Sequence, residues 1–440
     1  MLIVLSVALI CVSVLLEIYF AIKGPMLRLM NIVTLLYVYL LRPIVIILIG
    51  TSLLYPKDFD IDMYKMAWVM AAMSIVIENI GYYLTFPRIN RIKIEFKARG
   101  IRDVDVPWNF SSVEKVVVWL IAFSFLFLSL MFITSGTAFL AQKRSIAMAA
   151  VNPMLRYLYP FVQLSAALLG FSGLVQIMFL GKKIRGVITF LLGVVFTAIV
   201  YQRGTMISFA LLSLWILLDF FRIKQINTNK KELFKFFLIA LFMFFILVFL
   251  RDFYNLIFSG FTLLPLRSMG EGGSILLLLV SRPDGDSLEV WTILLRYLLE
   301  NGPLMGKSLL NIPYALASSN FRLFNELKLG VDILNEYYHY DTYWYRKFGF
   351  NLGSVQEMVL NFSFVGVFFA FFIGILRGAL VRWYYRKLFF RGKLIKATIY
   401  YQGMSYFLSA FNAFHWMLFY AVFAEFLELV LKIRLKPKER

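Results

Sequence analysis

Cysteine is nearly missing from this chain of 440 residues: Cys11 is the only one, and it lies inside an apolar run. An intrachain disulfide and a thiolate metal site are therefore excluded. With two histidines in the whole chain there is no His/Cys metal cluster, and a metal is not expected. Charge is scarce as well, at 16% of residues against about a quarter in soluble domains. Acidic groups are the scarcer kind: 25 Asp and Glu face 45 Lys and Arg, a net charge of +20. A nucleic-acid binder gathers such a surplus into a patch. Here the cations sit in the short gaps between apolar runs, so nucleic acid is not an expected partner. The start, MLIVLSVALICVSVLLEIYFAI, lacks both a basic leader and a small-residue cleavage site, and it reads as a retained first span. No internal repeat of the kind that marks many transporters is visible.

What the chain has in quantity is hydrophobic residues, 61% of the total, in blocks near the length needed to cross about 30 Å of hydrocarbon. The blocks predict spans at 2–22, 30–54, 67–86, 115–134, 157–180, 186–201, 205–221, 235–250, 353–376, 396–412 and 415–432, the last two being either two short spans or one broken helix. Basic residues crowd the gaps after spans three, five, seven and nine; the last of these carries Arg377, Arg382, Arg386, Lys387, Arg391, Lys393 and Lys396 without an acid. All four gaps and the tail KIRLKPKER fall on one side if the N-terminus is outside and the C-terminus inside. The expected fold is an all-α polytopic membrane protein with about eleven transmembrane helices. It divides into an N-terminal bundle (1–250), a large outer loop (251–352) and a C-terminal bundle with a basic tail (353–440). The loop carries nine Lys or Arg and ten Asp or Glu. Its apolar stretches at 274–280 and 290–299 are too short to span, and they predict helices at the membrane interface or over a cavity.

Charges within or beside spans are costly, which makes Glu17, Arg42, Glu78, Arg203, Asp219 and Glu425 candidates by position. Glu17, Asp219 and Glu425 are near predicted helix ends, where snorkelling or pairing explains them. Arg42 precedes Pro43, so either a kink with a satisfied guanidinium or a ligand contact fits. Glu78 suits an ion pair within the bundle. Arg203 stands in YQRGT, a tight outer turn where a guanidinium faces either lipid headgroups or a bound phosphate. The stretch NEYYHYDTYWYRKFGF (335–350) reads either as an interfacial aromatic belt or as a sugar platform with His339 and Asp341 as acid or base. Ser354, Glu357 and Asn361, spaced three and four apart, share one helix face at the outer mouth of span nine. That face either lines a polar cavity, the favoured reading, or packs on another helix.

These last residues carry a resemblance. Gly353-Ser354-x-x-Glu357-x-x-x-Asn361-Phe362-x-x-x-Gly366, followed by an apolar span with a basic end, resembles the late motif of bacterial O-antigen polymerases, the Wzy-type oligosaccharide repeat-unit polymerases. Ser363 stands where that family usually has glycine. Upstream, Gly306-Lys307-Ser308-Leu309-Leu310-Asn311-Ile312-Pro313 is similar to a second family segment, and the Arg203–Gly204 turn matches in position. The resemblance implies a multi-pass protein of the bacterial inner membrane, with a periplasmic N-terminus and loop and a cytoplasmic C-terminus. It implies a glycosyltransferase, without cofactor, that moves a growing glycan from undecaprenyl pyrophosphate to the sugar of an incoming lipid-linked unit. A chain-length regulator is a partner on the same analogy.

Pyrophosphate is a good leaving group, so the chemistry needs cations for the developing charge and a base for the acceptor hydroxyl. Arg203, Arg251, Arg282 and Arg346 are the expected clamp; Glu357, Asp341 and His339 are the candidate bases, with Ser354 and Asn361 binding substrate. The rival readings are an O-antigen ligase, whose His-Asn pair is replaced here by Gly353-Ser354, a lipid-linked oligosaccharide flippase, and a non-catalytic scaffold.

Overall fold

The computed structural model describes residues 1–50, 60–88, 90–91, 111–135, 153–179, 182–199, 287–312, 328–337, 352–391 and 394–434, with isolated positions at 212, 215, 218 and 219. Every regular element among them is helical: α1 (Leu2–Lys23), α2 (Leu29–Leu36), α3 (Arg42–Ile49), α4 (Ile61–Thr85), α5 (Ser111–Ser135), α6 (Pro153–Phe179), α7 (Lys183–Ile199), α8 (Ser287–Asn301), α9 (Lys307–Leu310), α10 (Gly330–Tyr337), α11 (Ser354–Phe362), α12 (Phe369–Arg391), α13 (Leu394–Ser409) and α14 (Phe414–Arg434). Among the described residues, four stretches are long and apolar enough to cross a membrane: Leu2–Lys23, Ile61–Thr85, Val116–Thr134 and Ser354–Lys387. The predicted spans at 205–221 and 235–250 and the apolar stretch at 274–280 lie outside the described residues, isolated positions apart.

The chain forms two compact units. The first comprises Met1–Ile94, Ser268–Arg386 and Tyr400–Leu418. Its second helical stretch, Leu29 to Ile49, keeps going through Pro43 by widening to a π-turn at Tyr37–Leu41. Proline has no N–H for the carbonyl four residues earlier and its ring crowds that carbonyl. That carbonyl belongs to Tyr39, and it accepts the indole N–H of Trp68 at 2.7 Å. The kink expected at Pro43 is thus spent on a bond to α4.

Asp60 caps α4, its carboxylate accepting from the amides of Asp62 and Met63 at 2.8 and 3.1 Å. The apolar stretch at 290–299 lies within a helix, α8. Leu288, Trp291, Leu294 and Leu295 of α8 are buried in one core with Tyr64, Trp68 and Ala71 of α4, Leu334 of α10 and Val359 and Leu360 of α11. Each large side chain so buried stabilises by about 1.5–3 kcal/mol. The core of this unit therefore holds α8 and α10 against α4 and α11.

Where α4 meets α12 the side chains vanish. A Cβ on Gly81 would overlap the Phe371 carbonyl, one on Gly374 the Glu78 carbonyl, and one on Gly378 the Thr85 hydroxyl. Gly374-x-x-x-Gly378 is the small-residue spacing that lets membrane helices touch backbone to backbone. Thr85 then donates to the Ile375 carbonyl at 2.9 Å, and Arg382 to the Thr85 carbonyl at 2.6 Å.

The second unit comprises Glu95–Arg267, Lys387–Ile399 and Phe419–Arg440. Its α6 and α7 form an antiparallel pair that turns at Lys182 and packs just as closely at Gly173, Gly186 and Gly193. Thr189 donates to Gln176 across that pair at 3.2 Å. Glu425, expected to snorkel or pair, pairs with Lys396 at 2.8 Å, and Glu428 joins it. Asp219 is fully buried.

Candidate functional site

The site is built where the predicted ninth span breaks. The apolar run 353–376 promised one helix, but α11 stops after nine residues at Ser363, which takes φ 55° and ψ −147°. Residues 363–368 form a tight 3-10 turn before α12 begins. The turn folds back on α11 so closely that a Cβ on Gly366 would overlap the Met358 carbonyl.

A second strained turn meets the exposed end of α11. Gly302, at φ 75°, ends α8 by donating to the Leu298 carbonyl at 3.0 Å. Met305 (φ 52°) and Gly306 (φ 87°) then reverse the chain. In passing, the amides of Leu304 and Met305 donate to the carbonyls of Leu360 and Asn361 at 3.0 and 2.9 Å. Carbonyls that a helix end leaves open are thereby satisfied, and α9 is fixed beside α11.

That placement puts Ser308 on the polar face of α11. Its hydroxyl is fully buried and donates to the carboxylate of Glu357. The Asn361 amide in turn donates to Ser308 Oγ at 2.7 Å and to the Glu357 backbone carbonyl at 2.8 Å. Gly330, the first residue of α10, packs directly against the Glu357 carboxylate. A Cβ at Gly330 would lie 2.6 Å from both carboxylate oxygens, so only glycine lets the helix end approach. Asn311 closes the arrangement by donating to the Lys328 carbonyl at 2.9 Å.

Glu357 is 4% exposed, and no cation pairs with it among the described residues. A buried carboxylate is costly unless donors surround it. Here the donor is a neutral hydroxyl, and the carboxylate also faces the N-terminus of α10, whose dipole favours negative charge. Asn361 Oδ1, also buried, has no hydrogen-bond partner among the described residues.

Of the predicted site residues, the structure brings Glu357 and Asn361 together on this cluster. Ser354, one turn earlier, is buried too, but it bonds elsewhere: its hydroxyl donates to the Leu408 carbonyl at 2.9 Å, at the end of α13. The shared face thus packs on neighbouring elements. Arg203, Arg251, Arg282, Arg346, His339 and Asp341 lie outside the described residues. Ser308 and Gly330 were not foreseen as site residues. Ser308 stands in the Gly306–Pro313 segment that carries part of the resemblance; nothing in the sequence marks Gly330.

Two further buried ion networks account for charges noted in the sequence. Arg42 bonds Glu289 of α8 at 2.6 Å, with side chains 1% and 2% exposed. Glu17 holds Arg28 through two bonds, at 2.5 and 2.7 Å, and Arg28 also donates to Asn79 Oδ1 at 2.6 Å. The Arg28 guanidinium lies 4.1 Å from the Tyr82 ring centroid, a cation–π contact. Glu78, beside Asn79, bonds Arg377 at 2.5 Å. These are structural uses of charge. Glu357, by contrast, is buried without a cation partner among the described residues.

No family model matches the chain, and neither curated proteins nor solved structures give a match.

Proposed function

We propose that this protein is an oligosaccharide repeat-unit polymerase, a glycosyltransferase acting on undecaprenyl-pyrophosphate-linked glycans at the periplasmic face of a bacterial inner membrane. The observation that supports it most is convergence. The two segments that resemble the polymerase family, Gly306–Pro313 and Gly353–Gly366, are far apart in the chain, yet Ser308 of one is bonded to Glu357 and Asn361 of the other. Ser363 adds to this: the position where the family usually carries glycine has the positive φ that glycine favours.

In this reading about eleven helices cross the membrane, with the N-terminus and the 251–352 loop periplasmic and the C-terminus cytoplasmic. The acceptor hydroxyl attacks the anomeric carbon of the donor glycan. The bond from that carbon to the carrier's phosphate oxygen breaks, and the lipid pyrophosphate leaves with the electron pair. The hydroxyl proton passes to a base, for which His339 and Asp341 are the candidates beside Glu357. Arg203, Arg251, Arg282 and Arg346 supply the positive charge that the departing pyrophosphate needs.

A turnover assay tests the reading. Purified protein in nanodiscs is given the lipid-pyrophosphate-linked repeat unit of its host, and the products are separated on a gel. A ladder of longer lipid-linked glycans that weakens sharply in a folded Arg203→Ala variant is expected. Folded protein that makes no ladder but carries the same substrate across liposome membranes is a flippase instead.

A further inference from the structure

We infer that Glu357 is a positioning residue, the anchor of α9 and α10, rather than the base that takes the acceptor's proton. The inference rests on the polymerase reading and deepens it. The carboxylate is 4% exposed, and its side chain meets two incoming elements. The Ser308 hydroxyl of α9 bonds Oε1, and Gly330, at the N-terminus of α10, packs so close that a Cβ there would lie 2.6 Å from both carboxylate oxygens. Ser308 is itself fully buried and held by Asn361 at 2.7 Å. A base needs a face open to the hydroxyl it deprotonates; this one is covered by the protein's own groups.

What the carboxylate does is hold α10 by its first turn. Locally α10 has one cap of its own, Asp332 reaching back to the Leu329 amide at 3.2 Å. Gly330, at that helix end, packs directly on the Glu357 carboxylate of α11. Tyr337, the last residue of α10, is followed in sequence by His339, Asp341 and Arg346. Glu357 therefore sets the position of the helix that precedes, in sequence, the segment richest in candidate catalytic groups.

The decisive comparison is among Glu357→Gln, Glu357→Ala and Ser308→Ala in the full-length protein, read by polymerisation kinetics across pH and by amide hydrogen exchange over residues 330–350. Glutamine keeps an acceptor oxygen, so Glu357→Gln is expected to retain at least about a tenth of wild-type kcat with an unchanged pH–rate profile. Glu357→Ala and Ser308→Ala are expected to speed exchange over 330–350 and to lower kcat/KM about tenfold or more. Combined, they should do little worse than the poorer single variant, because they cut one tether. A folded Glu357→Gln that loses kcat by about 10²–10⁴-fold, with wild-type exchange, makes Glu357 the base and overturns the inference. So does wild-type exchange in Glu357→Ala. If the wild-type protein makes no polymer, the polymerase reading fails on its own, and the exchange measurement still decides whether Glu357 anchors α10.

Discussion

Ser363 shows how much one residue gives up to shape a site. Its backbone, at φ 55° and ψ −147°, lies where a side chain is crowded and glycine is not; such conformations cost about 1–3 kcal/mol for other residues. Ser363→Gly is expected to raise the stability of the folded protein by about 1 kcal/mol, seen as a higher melting temperature in detergent, with the α11–α12 break kept. A lower melting temperature would mean that the serine side chain is itself needed. The break was invisible in the sequence because the run FVGVFFAFF is as apolar as a continuous span, and periodicity reports faces rather than a single reversed dihedral. The 3-and-4 spacing of Ser354, Glu357 and Asn361 was legible, and all three are buried on α11. The partners of that face were not, since Ser308 and Gly330 reach it only through the tertiary fold.

At the scale of elements, α8 and α10 touch through a pair that responds to pH. Tyr337 donates to Glu300 at 2.5 Å, and Tyr297 meets the Tyr337 ring edge-on at 5.2 Å. Burial, and then the hydrogen bond to Glu300, push the Tyr337 hydroxyl up to about 12, while the bonds from Tyr337 and Arg296 hold Glu300 below the usual carboxylate range. The signs follow. The stabilising share of Tyr337 is whole below the ordinary tyrosine range near 10 and is lost as pH climbs toward 12. That of Glu300 is whole above the ordinary carboxylate range and is lost as pH falls through its lowered value. The α8–α10 contact should therefore be tightest from neutral to mildly alkaline pH. Hydrogen exchange of residues 330–337, corrected for intrinsic rates, should quicken at both extremes, and Tyr337→Phe should abolish the dependence. A flat profile in the wild type would show the pair to be inert.

That 290–299 is helical was readable from an apolar stretch too short to span; that it packs on α4 was not, because its depth in the core depends on Trp291 and Leu294 meeting Trp68. Helix positions elsewhere followed the apolar blocks closely: α1, α5, α6 and α7 fall within a few residues of the spans read from the sequence.

At the scale of the molecule, buried ion pairs tie distant stretches of chain. Arg42 and Glu289 are 247 residues apart and almost wholly buried. Removing one partner of such a pair costs about 3–5 kcal/mol, since a lone charge is left inside, whereas replacing both with apolar residues of similar volume is often neutral or better. Arg42→Met or Glu289→Leu alone should sharply lower the melting temperature, and the double variant should recover most of it. A double variant no better than the singles would show that the charges serve something beyond holding α3 to α8. The sequence favoured an ion pair for Glu78 and left Arg42 open between a satisfied guanidinium and a ligand contact, but it could not name Arg377 or Glu289 as their partners, because nothing local links segments so far apart.

The glycine seam between α4 and α12 carries a consequence for traffic. Where Gly81, Gly374 and Gly378 bring backbone against backbone, a single added methyl group finds no room, and an isoprenoid tail, branched at every fourth carbon, finds less. The seam is thus a shut side door: in the proposed polymerase, the tail of a lipid-linked substrate cannot slip between these two helices.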